Sequence, residues 1–298
     1  MEEVKLKSID NYELNLHIFK VDNPKGYIQL IHGMEEHQER YEPFIEQLNK
    51  QNYTVISSNM RGHGSDAKTL GFFKEKKGYE FLLLDQKEIT KYIKKTFNTD
   101  KVIIFAHSMG TIITRNLLQT ESKDYEKVIL SGFPCPQAFV GVGIFLANLI
   151  QLFKGPMYYS KALQQIAIGS FNNKIDNPKT NLDWLSVNEE NVKNYMEDPF
   201  CGHGFKVSAL NDLFHLTKYM SKASRYKYVN TSLPILMLRG DEDPCTGFDK
   251  GSKKSISVLK KTGFYNIKEI KYQNMRHEIL NEVNKNDLYN DVIKFLND

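Results

Sequence analysis

The sequence has few of the features that mark secreted, metal-binding or nucleic-acid-binding proteins. Its three cysteines, Cys135, Cys201 and Cys245, lie far apart, and no Cys-x-x-Cys pair or His/Cys cluster has the spacing of a zinc site. The 40 Lys and Arg residues only slightly outnumber the 36 Asp and Glu residues, which gives a net charge of +4. No basic block or aromatic-interleaved patch indicates nucleic-acid binding.

The odd cysteine count and an N-terminal segment with no apolar leader region predict reduced thiols and a cytoplasmic protein. The longest apolar run, residues 139–153, is too short for an ordinary transmembrane helix and contains Asn148 and Gln151. A chain of 298 residues can form one large α/β domain with an insertion, or two smaller domains.

Hydrophobic periodicity predicts strands that alternate with helices. Residues 4–9 and 14–21 indicate an opening antiparallel pair. The predicted strands that follow are 26–31, 53–57, 102–105, 128–131, 234–238 and 267–272, and the predicted helices are 41–51, 79–96, 111–120, 252–261 and 287–296. This alternation predicts a mainly parallel sheet covered by helices on both faces.

The alternation stops in the middle of the chain, where residues 133–232 show no clear strand. We therefore predict a core made of residues 1–132 and 233–298. The residues between them are predicted to form a helical cap inserted between two strands of one sheet.

The segment 102–110 has the pattern of a strand-to-helix elbow that displays a nucleophile. A β-branched apolar run ends at a small residue, and Ser108 follows two positions later, with Gly110 two positions beyond it. The usual pattern is Gly-x-Ser-x-Gly, so Ala106 departs from it by one methyl group. The elbow predicts that Ser108 is the nucleophile.

A serine nucleophile needs an imidazole to accept its proton and a carboxylate to orient the imidazole. In the elbow fold the three groups occur in the order Ser, acid, His. His277 is the one histidine beyond the strand at 234–238, and it follows the strand at 267–272. The acid should lie in the loop after residue 238, where Asp243 is preferred because Pro244 stiffens the backbone behind it, with Asp241 as the alternative.

Acyl transfer also requires N–H donors for the tetrahedral oxyanion. The elbow pattern assigns one donor to the backbone of Met109 and the other to the loop at Gly33 and Met34. In the same loop Glu36 and Arg40 stand four apart. They could pair as a brace for this loop or as an ordinary surface ion pair.

Together these motifs resemble the monoacylglycerol lipase and bacterial lysophospholipase group of α/β-hydrolases. The matching segments are His-Gly-Met-Glu-Glu-His at 32–37, Arg-Tyr at 40–41, Arg-Gly-His-Gly-Ser at 61–65, His-Ser-Met-Gly at 107–110, Tyr-Met-Glu-Asp-Pro at 195–199, Gly-Asp-Glu-Asp at 240–243 and Arg-His-Glu at 276–278. They span nearly the whole chain in the family's order. Ala106, Thr111 and Asn59 depart from the family pattern, and Asn59 is expected to change a structural hydrogen bond rather than the chemistry.

The resemblance implies an α/β-hydrolase fold with a mostly parallel eight-stranded sheet flanked by helices and a helical cap. It also implies a triad of Ser108, Asp243 and His277, with the oxyanion bound by the backbone N–H groups of Met34 and Met109. No metal or organic cofactor is implied. The expected substrates are monoacylglycerols or lysophospholipids.

The apolar run at 139–153 is the expected acyl-binding part of the cap. A helix that is apolar nearly all round is either buried or faces lipid. It could line the site and touch a membrane surface, or simply pack on the core. We expect substrate contacts from Gly33, Phe139, Ile144 and Phe145.

Two other interpretations remain open at the level of sequence. The same machinery could serve a short-chain carboxylesterase or an aminopeptidase. A relative of the fold could also bind its ligand without catalysis, although three reactive groups in the correct order favour an enzyme.

Overall fold

The computed structural model describes residues 1–138 and 140–298 and contains an eight-stranded sheet. The strands are β1 Glu2–Lys7, β2 Glu13–Phe19, β3 Gly26–Ile31, β4 Tyr53–Ser58, β5 Val102–His107, β6 Tyr125–Ser131, β7 Ile235–Gly240 and β8 Ile267–Tyr272. Their order in the sheet is β1-β2-β4-β3-β5-β6-β7-β8. The β1–β2 and β2–β4 pairs are antiparallel and the other pairs are parallel, which confirms the predicted fold class.

The strands are connected by helices whose bounds extend the predicted segments by a few residues at most of their ends. They are α1 Glu42–Lys50, α2 Gly78–Phe97, α3 Met109–Glu121, α4 Val140–Lys154, α5 Lys161–Gln164, α6 Glu189–Glu197, α7 Val207–Tyr219, α8 Phe248–Lys261 and α9 Lys285–Asn297. Helix α1 is instead one residue shorter than predicted at each end. The apolar period alone does not define helix ends, where the hydrogen-bond pattern frays.

Two hydrophobic layers cover the sheet, one on each face. In β5, Ile104 packs into one layer with α2, α3 and α8, whereas Phe105 packs into the other with α1 and α9. Successive side chains of a strand point to opposite faces, so a strand that is apolar at every position must be covered on both sides. All six residues of β5 are buried, as this arrangement requires.

The segment between β6 and β7 contains α4, α5, α6 and α7 and no strand among its described residues. Helix α7 packs on the sheet, because Val207, Leu210 and Leu216 belong to the same apolar layer as α2 and α3. Phe139 lies outside the described residues. The insertion is therefore anchored to the core along α7.

The parallel strands bring distant loops together. Strands β3, β5, β7 and β8 run in the same direction, so the loops after Ile31, His107, Gly240 and Tyr272 meet at one edge of the sheet. Ligands of open α/β sheets bind at this carboxyl edge.

Candidate active site

The elbow forms at Ser108, between β5 and α3. Ser108 has φ 47° and ψ −116°, a strained conformation for a residue other than glycine. Gly110 passes close to β3, and a β-carbon at this position would lie 2.7 Å from the carbonyl oxygen of His32. Ala106 is an interior residue of β5, paired with β3 and β6, so its methyl group fits without disturbing the turn.

His277 lies within hydrogen-bonding distance of both of the other predicted triad residues. His277 Nε2 is 2.8 Å from Ser108 Oγ, and its Nδ1 is 3.0 Å from Asp243 Oδ2. Asp243 is fully buried and His277 is 2 % exposed. These distances fit the tautomer in which Nδ1 donates to the carboxylate and Nε2 can accept the serine proton.

Backbone donors hold the carboxylate of Asp243, the predicted acid, in place. Oδ1 of Asp243 accepts hydrogen bonds from the N–H groups of Cys245 at 2.8 Å and Thr246 at 3.4 Å, which leaves Oδ2 free for His277. Asp241, the alternative from sequence, makes no contact with His277 among the hydrogen bonds of the described residues. The structure thus brings Asp243 rather than Asp241 to the histidine.

Charge determines the basicity of His277. Burial alone would lower its pKa, but the Asp243 carboxylate raises the pKa above the ordinary value of 6.5. The neighbouring His107 is buried without such a partner, and its pKa falls to about 3, so it stays neutral. The Trp184 ring lies 5.0 Å from the imidazole of His277, centroid to centroid, and limits its movement.

The two residues expected to bind the oxyanion also lie at this edge. Met34 and Met109 line the cavity that contains Ser108. Met109 is the first residue of α3, where N–H groups have no carbonyl partner within the helix. Gly33 donates its N–H to Glu36 Oε1 at 2.5 Å, and a β-carbon on Gly33 would lie 3.2 Å from Cβ of Ser108.

A cavity of about 220 Å³ opens beside Ser108 and is mostly apolar. Ile112, Leu213, Phe214 and Phe171 are among its apolar lining residues. Polar lining residues include Glu35, Gln164 and Tyr195. The cavity therefore has an apolar part suited to a hydrocarbon chain and a polar part near the oxyanion loop.

The structure does not bring the residues predicted from α4 to this cavity. Ile144 is half-buried against the core, and Phe145 is 65 % exposed. The buried face of α4 packs at Gly143 against the ring of Phe214. A β-carbon on residue 143 would lie 2.9 Å from this ring. The cavity wall comes instead from α5, α7 and the loops around Trp184.

Arg40 forms a buried ion network that is larger than the Glu36–Arg40 pair predicted from the sequence. It donates to Glu36 at 2.7 Å and to both carboxylate oxygens of Glu278 at 2.8 and 2.7 Å. It also donates to Asn191 of α6 at 3.2 Å. The network thus joins the oxyanion loop, the residue after His277 and the insertion, which fits the brace rather than the surface pair.

The sequence contains only part of the information needed to predict this network. Glu278 follows the predicted base directly, and Arg40 lies in a predicted functional loop, yet nothing in the sequence says that they meet. Although burial would raise the pKa of Glu278, Arg40 lowers it to about 2. Burial raises the pKa of Glu36.

The family departures have structural explanations. Asn59 Oδ1 accepts from the N–H of Gln38 at 2.9 Å, so it supports the loop after β3 and does not touch the triad. Thr111 Oγ1 donates to the carbonyl of Ser108 at 2.7 Å and stabilises the first turn after the elbow.

Among the described residues, two groups of side chains place potential metal ligands close together, and in both the histidine and the aspartate are hydrogen-bonded to each other. One group contains Asp243, Cys245 and His277. The other contains His37, Asp198 and Cys201, but both ring nitrogens of His37 are bonded, to Glu39 at 2.6 Å and Asp198 at 2.7 Å. The donor pattern is that of a His between two carboxylates.

A mostly parallel sheet with a serine elbow, followed along the chain by an aspartate and a histidine at the same edge, defines an α/β-hydrolase. More particularly, the chain belongs to the Hydrolase_4 family, serine aminopeptidase S33, which matches residues 22–284. It is a serine hydrolase.

Similar proteins cover almost the whole chain. Phospholipase YtpA of Bacillus subtilis is 23% identical over 272 residues, covering 91% of this chain and 95% of the relative. Monoacylglycerol lipase of Mycolicibacterium smegmatis is 23% identical over 284 residues, covering 92% and 89%. The structure of a thermostable carboxyl esterase from Bacillus coagulans superimposes with a TM-score of 0.91 at 23% identity, covering 99% of this chain and 97% of that one.

None of the helices in the described part of the chain combines the length and apolar character needed to cross a bilayer.

Proposed function

We propose that this protein hydrolyses carboxylic esters of lipids, with monoacylglycerols or lysophospholipids as substrates. The observation that carries the proposal is a hydrogen-bonded Ser108–His277–Asp243 triad facing a largely apolar cavity. The named relatives, a phospholipase and a monoacylglycerol lipase, support the same substrate class.

In the proposed reaction His277 Nε2 takes the proton of Ser108 as Oγ attacks the ester carbonyl. The N–H groups of Met34 and Met109 bind the developing oxyanion, and the proton passes from His277 to the leaving alcohol. Water then attacks the acyl-enzyme with His277 again as base, and the fatty acid leaves. Asp243 keeps Nδ1 protonated throughout and stabilises the imidazolium.

We propose residues 133–232 as the cap that shapes the substrate site. Phe171, Trp184, Leu185, Leu213 and Phe214 of this segment line the cavity and provide the apolar surface. Each buried methylene contributes about 0.8 kcal/mol, so such a wall favours long acyl chains over short ones.

A chain-length series tests this assignment. We expect kcat/KM for nitrophenyl esters to rise by about threefold to fourfold per added methylene until the apolar wall is filled, since 0.8 kcal/mol corresponds to about that factor. Hydrolysis of acetyl esters at the highest rate would instead identify a short-chain carboxylesterase. Release of nitroaniline from aminoacyl substrates in preference to esters would identify an aminopeptidase.

Helix α4 presents an unpaired apolar face on the surface of the cap. Val140, Gly143 and Ala147 face inward, whereas Phe145 and Leu149 and their neighbours on the other side are exposed. The exposed fractions reach 77% at Leu152 and 74% at Phe153.

We propose that this face rests on a lipid surface. Tyr159 is 40% exposed beyond the end of α4 and also lines the cavity, so the apolar surface leads towards the site. Exposed Lys154 and Lys161 flank it and would attract anionic headgroups. A substrate held in a bilayer could then reach Ser108 with its chain kept away from water.

Vesicle binding tests the proposed contact. Leu152→Ser combined with Phe153→Ser is expected to weaken binding to phosphatidylglycerol vesicles at least tenfold, because two large apolar side chains no longer insert. Hydrolysis of a short soluble ester should stay within about twofold of the parent. Tyr265→Ser is the matched control, since Tyr265 is 67% exposed and precedes β8 at the opposite edge of the sheet. Equal vesicle binding by the α4 double variant and the parent would refute the contact.

A further inference from the structure

Glu35 is a buried acid in the oxyanion loop that the proposed reaction does not use. It lies between Met34, which supplies a proposed oxyanion donor, and Glu36, which belongs to the Arg40 network. Glu35 lines the same cavity as Ser108 and is 4% exposed. It also has φ 54°, a backbone conformation that favours glycine.

The backbone and the carboxylate of Glu35 both contact the cap. The carbonyl accepts from Tyr195 Oη at 2.8 Å and from the N–H of Gly202 at 3.0 Å. The carboxylate accepts from Gln164 Nε2 at 2.5 Å. Burial raises the pKa of Glu35 to about 7, while Gln164 and nearby backbone N–H groups oppose this rise.

All these carboxylate partners are uncharged. The other two acids lining the cavity, Glu36 and Glu278, share Arg40 as their counter-ion. Among the described residues that line the cavity there is no lysine or arginine, and Arg40 lies behind the two acids in a separate small cavity. The part of the cavity next to the oxyanion loop therefore has an acid without a neutralising cation.

An anionic head group would be disfavoured at such a site. In the proposed reaction the ester carbonyl lies against Ser108 and the N–H of Met34. Because Glu35 lines the same cavity as these two residues, we place the leaving alcohol beside it. A phosphodiester brought there would lose water and meet like charge without an Arg or Lys to bind it. The hydroxyls of an uncharged polyol could instead donate to the remaining lone pairs of the carboxylate.

We propose that Glu35 is a specificity-determining residue that selects uncharged alcohol esters, such as monoacylglycerols, over esters whose alcohol carries a phosphodiester. The inference rests on the proposed lipid-ester function and narrows it. It predicts that the difference in affinity between the two substrate classes comes from one carboxylate. The apolar wall holds the same acyl chain in both classes and should not contribute to this difference.

Binding of non-hydrolysable ether lipids tests the inference independently of turnover. Calorimetry on the full chain at about pH 8, where Glu35 is mostly ionised, would compare a dodecyl glycerol ether with the dodecyl ether of lysophosphatidylglycerol. We expect the parent to bind the uncharged ether at least tenfold more tightly, and Glu35→Gln to reduce this preference by about tenfold. The kcat/KM ratio for the corresponding esters should change in the same direction.

Two further variants separate charge from loop structure. Glu35→Gly removes the carboxylate in a residue type that favours the observed φ, so it should reproduce the change in preference even if glutamine disturbs the loop. Glu126→Gln makes the same charge change at an exposed position of β6 and should leave the preference unchanged.

Equal affinity of the parent for both ethers, or an unchanged preference in both Glu35 variants, would overturn the inference. Failure of the lipid-ester function is a different result. In that case neither ester is hydrolysed although the ether affinities can still be compared, and their ratio alone decides the role of Glu35.

Discussion

Replacing Ser108 by alanine is expected to lower kcat/KM for ester hydrolysis by about a million-fold, leaving only the acceleration that the oxyanion donors and substrate binding provide. The substitution removes one non-hydrogen atom, the Oγ of Ser108, which lies 2.8 Å from His277 Nε2. Hydrolysis of a nitrophenyl ester measures the loss, and a fluorophosphonate probe should label the parent at Ser108 and fail to label the variant.

Ser232→Ala provides the matched control, since Ser232 is exposed before β7. It should keep both activity and labelling. A folded parent protein that the probe does not label would contradict the hydrolase mechanism and would favour a binding protein that uses the cavity without chemistry.

The second large effect is expected when Asp243, the proposed acid, is replaced. Asp243→Asn should lower kcat by about ten thousand-fold, because the amide can stabilise the wrong tautomer of His277 and cannot stabilise the imidazolium. The fold should persist, since the amide oxygen can still accept from the N–H of Cys245. Asp241→Asn is the matched control and should change kcat only severalfold.

The same variant should also change the pH dependence. In the proposed mechanism the neutral imidazole is the base, so the rate is expected to fall as pH falls through the pKa of His277. Asp243 raises that pKa above 6.5, so the parent loses activity on the acidic side at a higher pH than a free imidazole would. Removing the carboxylate charge should move the acidic limb of the residual activity to lower pH. An unchanged midpoint, or a large loss in Asp241→Asn, would contradict the assignment of the acid.

Much of the active-site geometry could be predicted because it depends on order and local pattern. The run before Ser108 is apolar at successive positions and ends at Ala106, which identifies a buried strand and a tight turn without any long-range information. Parallel strands then bring the loops that follow them to one edge, so the order Ser, Asp, His is enough to predict convergence. The sequence favoured Asp243 over Asp241 only through Pro244 and the family resemblance, and the distance from His277 Nδ1 to Asp243 Oδ2 supplies the geometric reason for that preference.

The path of the cap could not be predicted in the same way. Helix α4 is apolar nearly all round, and no periodicity in it distinguishes an inward face from an outward one. The packing of Gly143 on Phe214 decides this, and it depends on where α7 lies. The contacts of Trp184 with His277 and of Glu35 with Gln164 are equally non-local, and neither residue has a distinctive spacing from its partner.

The Arg40 network has a consequence for how the protein folds. Arg40 follows β3, Asn191 lies in the inserted segment and Glu278 follows β8. Because no single stretch of the sequence contains all three residues, the buried junction can form only when the sheet and the insertion have packed together. The bracing of the loop after β3 is therefore a property of the tertiary structure and not of any local segment.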